Sequence, residues 1–406
     1  MKFLKEGSMI SCKKNFPALR KDWIYLDGPG GTQVCRQAIK AQTEQLKYGV
    51  CNFHGVFDLS KDMDALSEGC RELIKNFLGA ERSSEIHFGP NMTTLSFQLA
   101  ATLSKKWKKG DNIILSRLDH YANVDPFKQL AEEKGVEVRW LTVNPETFKL
   151  SSDELRKICS KKTRLLALTG ASNAVGTLQN VKELVKIAHH YGSLVHVDAV
   201  HMAPHTLIDV KSMNCDFLTC SAYKFYCPHL GIQYIHKKHE KWIKPMKLST
   251  SPDVGPMRYE TGTQNQVSMA GVSAGLEWLK GLAQIKERNI REQFIASMNC
   301  LQEHERELSF QFIQKLKKLK QWKLHGSLDP EERTPTFALE HHMLNADECA
   351  KKLSKMKVSS WSGHFYARDI VKALELEKKG GLLRLGVSLY HSTKDIEKVI
   401  QCLKSI

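Results

Sequence analysis

The sequence predicts an α/β fold: a large domain on a mostly parallel seven-stranded sheet, followed by a smaller C-terminal α+β domain. Three observations predict it. Between residues 85 and 235, short apolar runs alternate with stretches of helical period. Those runs are continuously apolar, the pattern of strands covered on both faces. Beyond about Val267 the alternation stops, and a long helical pattern leads into a second, mixed set of elements.

The expected strands are EIHF at 85–88, NIILS at 112–116, VEVRWLTV at 136–143, RLLALTG at 164–170, LVHVDA at 194–199, FLTCS at 217–221 and GIQYIH at 231–236. Helical stretches such as PFKQLAEEKG and NVKELVKIAHHYG fill the gaps, the second stopped by Gly192. One long helical pattern then runs from about Val267 to Lys320. After the polar break GSLDPEERTP come the strand TFALE, the helix ADECAKKLSKM, the strands VSSWS and LLRLGVS, and a last helix, TKDIEKVIQCL. The division expected is an N-terminal segment, 1–22, packing on the small domain; a large domain, 23–283; and a small domain, 284–406. There are no internal repeats.

A chain of 406 residues suits about two domains. No run approaches the roughly 20 apolar residues of a membrane span, and the start, MKFLKEGSMISCKKNF, has no apolar core for a secretory signal. Eleven cysteines are scattered without a CxxC pair, which suggests reduced thiols in a cytoplasm and argues against a zinc site. The net charge is +16, but the lysines spread through amphipathic segments such as KKWKKGD and KKLSKMK, as solvated helix faces do. No nucleic-acid motif accompanies them, so nucleic-acid binding is the weaker reading.

In an open parallel sheet the ligand lies at the carboxyl ends of the strands. Polar residues cluster there. Thr93 and Thr94 fall at a helix start after EIHF, where free N–H groups and the helix dipole favour a phosphate. His120 follows NIILS, Asn173 follows RLLALTG, Asp198 ends LVHVD with His201 three residues on, and Ser221 ends FLTCS with Lys224 three residues on. Each has a plain alternative: a helix cap, a hydrogen-bonded histidine, a local ion pair, a surface lysine. Together they supply the groups that pyridoxal 5′-phosphate needs. Those are a lysine for a Schiff base (Lys224), a carboxylate for the pyridine nitrogen (Asp198), a phosphate cradle (Thr93, Ser221), a stacking ring (His120) and a donor to the phenolic oxygen (Asn173). Aromatic neighbours Tyr223 and Phe225 favour a dry, low-pKa lysine.

With VDAVH, SAYKF, ETGTQN at 260–265, the turn YLDGPGGTQV and the ending LLRLGVSLYHSTKDIEKVI, the chain resembles the class V aminotransferase family of fold-type I pyridoxal-phosphate enzymes, from about Tyr25 onward. That group includes cysteine desulfurases, selenocysteine lyases and isopenicillin N epimerase. The resemblance implies that Lys224, His120 and Asp198 are catalytic, and that Thr93, Thr94, Asn173, His201, Ser221 and Tyr223 surround the cofactor. It also implies that Thr263 reaches the phosphate from the neighbouring subunit of a homodimer, and that Arg384, with Asn173, receives the substrate α-carboxylate. In one desulfurase branch a mobile nucleophilic cysteine lies in a segment like RTGHHCA. The matching stretch here is WSGHFYA at 361–367, with Tyr366 at the cysteine position. Cys227 is then the alternative thiol nearest Lys224 in sequence. The expected function is a pyridoxal-phosphate enzyme acting on a small amino acid, desulfurase-like but lacking the usual nucleophile. A desulfurase using another thiol and a non-catalytic relative that keeps the fold as an interaction module are the alternatives.

Overall fold

The structure, a computed structural model, describes residues 12–20, 22–285 and 289–406. Strand β1 (Ile24–Tyr25) precedes two helices, α1 (Arg36–Tyr48) and α2 (Asp58–Leu78). The large sheet and its helices follow as β2 (Ile86–Gly89), α3 (Met92–Leu103), β3 (Asn112–Ser116), α4 (Asp125–Glu133), β4 (Glu137–Leu141) and α5 (Ser152–Ile158). They continue as β5 (Thr163–Thr169), α6 (Val181–His190), β6 (Leu194–Asp198), α7 (Val210–Met213), β7 (Phe217–Ser221) and β8 (Gly231–Ile235). Two long helices, α8 (Gln266–Lys280) and α9 (Ile290–Leu316), lead to β9 (Trp322–His325) and β10 (Thr336–His341). The chain ends through α10 (Ala346–Lys355), β11 (Val358–Ser359), β12 (Trp361–Gly363), α11 (Arg368–Ala373), β13 (Leu382–Gly386) and α12 (Thr393–Lys404).

All seven expected strands form one sheet in the order β2-β8-β7-β6-β5-β3-β4. Only β8 runs against its neighbours, so β2 and the other five strands end at the same edge. Alternate residues of the parallel strands feed two separate cores. Leu166 and Leu168 of β5 face one core, with Phe77 of α2 and Leu276 of α8; Leu165 and Ala167 face the other, with Leu99 of α3 and Phe127 of α4. Because both faces are covered, β3 and β7 are buried at every residue, whereas the edge strand β4 is buried only at Leu141. A second sheet, β12-β13-β10-β9, carries its own core, with Phe312 of α9 stacked on Phe337 at 4.2 Å.

The structure corrects several sequence readings. The helical pattern from Val267 to Lys320 is two helices, because Asn289 starts a new one: its side chain accepts from Glu292 N–H while the Glu292 carboxylate accepts from the Asn289 N–H. Strand β9, just beyond the lysine-rich end of that pattern, was not expected. VSSWS is split between two sheets, β11 pairing with β1 and β12 with β13. The expected boundary near residue 284 falls between α8 and α9, where 286–288 lie outside the described residues, as do 1–11 and 21 of the N-terminal segment. In the described part of that segment, Phe16 wedges between Tyr226, Trp278 and Tyr390, touching large-domain elements as well as the C-terminal region. Among the described residues no helix is long and apolar enough to cross a membrane.

One buried ion pair ties the sheet edge to the 256–265 loop. Arg71 and Glu260, both almost fully buried, meet at 2.7 and 2.9 Å; Arg71 also donates to the Ile86 carbonyl, and Glu260 accepts from Phe88 N–H. Replacing Glu260 by Ala strands a buried guanidinium, an effect of about 3–5 kcal/mol. The expected result is a clearly lower urea midpoint for Glu260→Ala, with the double variant Arg71→Met/Glu260→Leu recovering most of it. Equal midpoints for the single variant and the parent would remove this pair from the forces holding the loop.

Candidate active site

The carboxyl edge of the sheet opens into a cavity of about 560 Å³. It collects Thr93, His120, Asn173, Asp198, His201, Ser221, Tyr223, Lys224 and Arg384 from the sequence-derived set. Register explains the convergence: Thr169, Asp198 and Thr219 are successive partners across β5, β6 and β7, so the residues after each strand emerge side by side.

Lys224 follows β7 on a short 3₁₀ turn and is only 9% exposed. Its ammonium donates to the carbonyls of Pro29 and Gly30, the latter at 3.0 Å, and lies 4.8 Å from the centre of the Tyr223 ring. Burial, and then the charge of Arg384, push its pKa down to about 7, against smaller opposing effects of Asp27 and Asp198. Asp198 ends β6 and is 4% exposed; Oδ1 accepts from Val200 N–H at 2.8 Å. Burial raises this carboxyl to about 6, opposed by that hydrogen bond and by Lys224. His120 caps the turn after β3, its Nδ1 accepting from Ala122 N–H at 3.0 Å. Burial and then the charges of Lys224 and Arg384 hold His120 near 4, so the ring is neutral at pH 7. Burial also takes His201 well below its ordinary value; its Nε2 faces the hydroxyls of Thr334 and Thr336 at 3.1 and 3.0 Å.

Helix α3 points its N-terminus into the cavity. Its cap Asn91, with Met92 and Thr93, lines the wall, and Met92 N–H donates to the Ser221 hydroxyl at 3.0 Å. A side chain at Gly231 would place its Cβ 2.7 Å from the Asn91 nitrogen, so this close crossing of β8 under the cap requires glycine. Thr94 is not among the residues of the cavity wall, and its N–H and hydroxyl both turn to the Asn91 side chain at 2.9 and 3.2 Å. Thr263 is exposed and outside this chain's cavity.

On the opposite wall Arg384 of β13 is 5% exposed. It donates to Asp27 Oδ1 at 3.0 Å and to the Asn173 carbonyl at 3.1 Å, with the Phe365 ring 4.5 Å away. The Asn173 amide donates to the Phe365 carbonyl at 2.8 Å. Trp361 and Tyr366 stand at the mouth, 57% and 68% exposed, with Tyr366 centred 5.2 Å from His120. Among the described residues, no cysteine lines the cavity. Cys227, the alternative thiol, is corrected to a core residue: it is buried, packs against the α8 backbone at Val272, and burial holds its thiol well above the ordinary range. The sequence reading missed Asp27, Pro29, Gly30, His229, which stacks on Tyr223 at 4.4 Å, and Phe365. The YLDGPGG turn and the aromatic doublet in HFYA were the available signals.

A dry lysine, a buried carboxyl, a neutral imidazole face and a helix N-terminus with a hydroxyl, all on one cavity, fit pyridoxal phosphate: Lys224 for the aldehyde carbon, Asp198 for the ring nitrogen, Ser221, Thr93 and the α3 N-terminus for the phosphate. The fold and the cavity thus define a pyridoxal-phosphate enzyme that holds its cofactor through a lysine.

The aminotransferase class-V family model matches residues 24–399, and the chain belongs to that family, whose enzymes depend on pyridoxal phosphate. It is 27% identical over 420 residues to a cysteine desulfurase of Escherichia coli O9:H4 (strain HS), covering 98% of each chain. Over 410 residues it is 28% identical to the aminotransferase-like protein FGM3 of Gibberella zeae, again covering 98% of each. Among solved structures, the apo cysteine desulfurase of Thermococcus onnurineus NA1 superposes with a TM-score of 0.88 at 25% identity, covering 100% of this chain and 98% of that one.

The depressed pKa of Lys224 sets a pH dependence. Only the free amine attacks an aldehyde, so uptake of pyridoxal phosphate by cofactor-stripped protein should accelerate as pH rises through about 7. An ordinary lysine would require pH near 10.5. Absorbance-monitored uptake checks this, with borohydride trapping and peptide mapping to identify the lysine. A midpoint near the ordinary value, or label on a peptide other than that of Lys224, would contradict the assignment.

Proposed function

We propose that this chain is a cytoplasmic pyridoxal-phosphate enzyme acting on a small amino acid, with desulfurase-like architecture but with Tyr366 where the nucleophilic cysteine stands. The reaction is one that begins with loss of the proton on the substrate α-carbon: transamination, epimerisation, or β- or γ-elimination. One observation carries the reading: among the described residues a tyrosine, and no thiol, lines the cavity.

In this reading Arg384 receives the α-carboxylate, a planar fork matched to a carboxylate. Bound cofactor supplies an electron sink that acidifies the α-C–H bond. Lys224 removes that proton. An amine with a pKa of about 7 is about half free at neutral pH, close to the optimum for a general base. The carbonyls of Pro29 and Gly30 can then hold the ammonium that results. Neutral His120 gives an uncharged face beside the reacting carbon, and Tyr366 narrows the mouth. A phenol, with its pKa near 10, is a poor nucleophile at neutral pH and its oxygen cannot carry a persulfide.

The test is incubation with L-cysteine followed by a persulfide label and mass mapping. The expected result is little or no label on any of the eleven cysteines, together with an absorbance response of the loaded protein to at least one other amino acid. Strong label on a cysteine would restore a plain desulfurase.

The working unit in this reading is a two-fold dimer. Thr263 is exposed in the loop that Glu260 anchors and stands free of its own chain's cavity, as a residue serving a neighbouring phosphate site must. Thr263→Val is expected to raise the dissociation constant for pyridoxal phosphate about tenfold, the size of one lost charged hydrogen bond. Sedimentation should show a dimer. A monomer that retains the cofactor tightly would end the cross-subunit assignment.

A further inference from the structure

Asp27 sits at the head of the DGPGG turn, between β1 and α1, and its strand-like backbone bridges Gly386 just beyond Arg384. Its Oδ1 accepts from Arg384 Nη2 at 3.0 Å, and both side chains line the cavity. Three contacts fix the guanidinium: Asp27 on Nη2, the Asn173 carbonyl on Nη1, and the Phe365 ring 4.5 Å from its carbon. Nε, in contrast, is buried without a hydrogen-bond partner among the described residues. A buried guanidinium held on one side and left unsatisfied on another is a fork with an open edge, prepared for an acceptor that the chain does not provide.

The turn is shaped around this contact. A Cβ on Gly30 would lie 2.4 Å from Asp27 Oδ2, so glycine at 30 leaves the carboxylate its room. The same turn presents the Pro29 and Gly30 carbonyls to Lys224. Carboxylate and carbonyls therefore reach the cavity from one rigid piece of backbone, each toward a different cation.

We propose that Asp27 is a positioning residue for Arg384, and that the 27–31 turn sets how strongly the site prefers an amino acid over the amine lacking its carboxylate. This rests on the reading of Arg384 as the α-carboxylate receptor. A weaker alternative function for Asp27, competition with the substrate for Arg384, predicts the opposite sign.

The experiment is an absorbance titration of the cofactor-loaded protein with L-alanine and with ethylamine, comparing the ratio of their dissociation constants in the parent, Arg384→Ala, Asp27→Asn, Asp27→Ala and Gly30→Ala. Both probes use the same lysine, so the ratio cancels any effect of Asp27 on Lys224. The parent should prefer L-alanine, and Arg384→Ala should abolish the preference. Asp27→Asn, which keeps the shape, and Gly30→Ala, which displaces the carboxylate without removing it, should each weaken L-alanine about tenfold or more, as for loss of a charged hydrogen bond. Ethylamine carries any effect that reaches Lys224 through the turn, so in each of these variants the preference for L-alanine over ethylamine should fall about tenfold. Should Arg384→Ala lose the preference while both milder variants keep it, the inference about Asp27 is wrong and the Arg384 reading stands. Tighter L-alanine binding in Asp27→Asn overturns it in favour of competition. A parent without preference, or an unaffected Arg384→Ala, removes the carboxylate receptor itself.

Discussion

The rest of the site follows from the dryness around Lys224. An ammonium on a cavity wall with so little exposure is disfavoured, and a second cation, Arg384, adds to the penalty. The surroundings answer with oxygen: two turn carbonyls directly on the amine, and two carboxyls, Asp27 and Asp198, at longer range. The result is an alternation of charge across the cavity, Arg384 and Lys224 set among Asp27 and Asp198. His120 feels both cations and so stays neutral. Asp198, burdened by burial, sits near 6 until a cationic group meets its free oxygen, which is the condition a protonated pyridine satisfies.

The sheet makes such an arrangement affordable. Strands β5, β6 and β7 are parallel and in register, and they end together between two apolar cores. The polar groups of the cavity emerge where these strands stop, and backbone N–H and C=O groups meet Asp198 and Lys224 there. The Arg71–Glu260 pair repeats the principle at the far strand β2, where a fully bonded pair of charges holds the loop toward Thr263.

These relations were unequally visible in the sequence. The strands were legible because burial on both faces leaves continuous apolar runs, and the strand-end residues were legible because each sits a fixed short step beyond its run. Asp27 was not. Its partner Arg384 lies 357 positions away, and nothing local in YLDGPGG distinguishes a carboxylate that meets an arginine from one that caps a turn. Nor can sequence tell which hydroxyl of a Thr-Thr pair the Asn91 cap will claim, and it claims that of Thr94. The break before α9 was hidden because the residues across it keep the helical period, while the signal that ends the run is the reciprocal Asn289–Glu292 bonding.

The loop after β12 bears on why a tyrosine stands at its tip. Phe365 and Tyr366 are consecutive residues with left-handed backbone, φ +52° and +58°, a strain of about 1–3 kcal/mol each for side chains with a Cβ. Three attachments hold them there: the Asn173 amide on the Phe365 carbonyl, Tyr121 N–H on the Tyr366 carbonyl at 2.8 Å, and Arg384 against the Phe365 ring. A sulfur carrier has to collect its sulfur in the cavity and then present it outside, which demands a loop able to leave. This loop is strapped to Asn173 and Arg384, the residues proposed to receive the substrate carboxylate. Releasing it would disturb the receptor. On the proposed reading of the site, this tethering suits a side chain that stays in place at the mouth, as Tyr366 does beside His120.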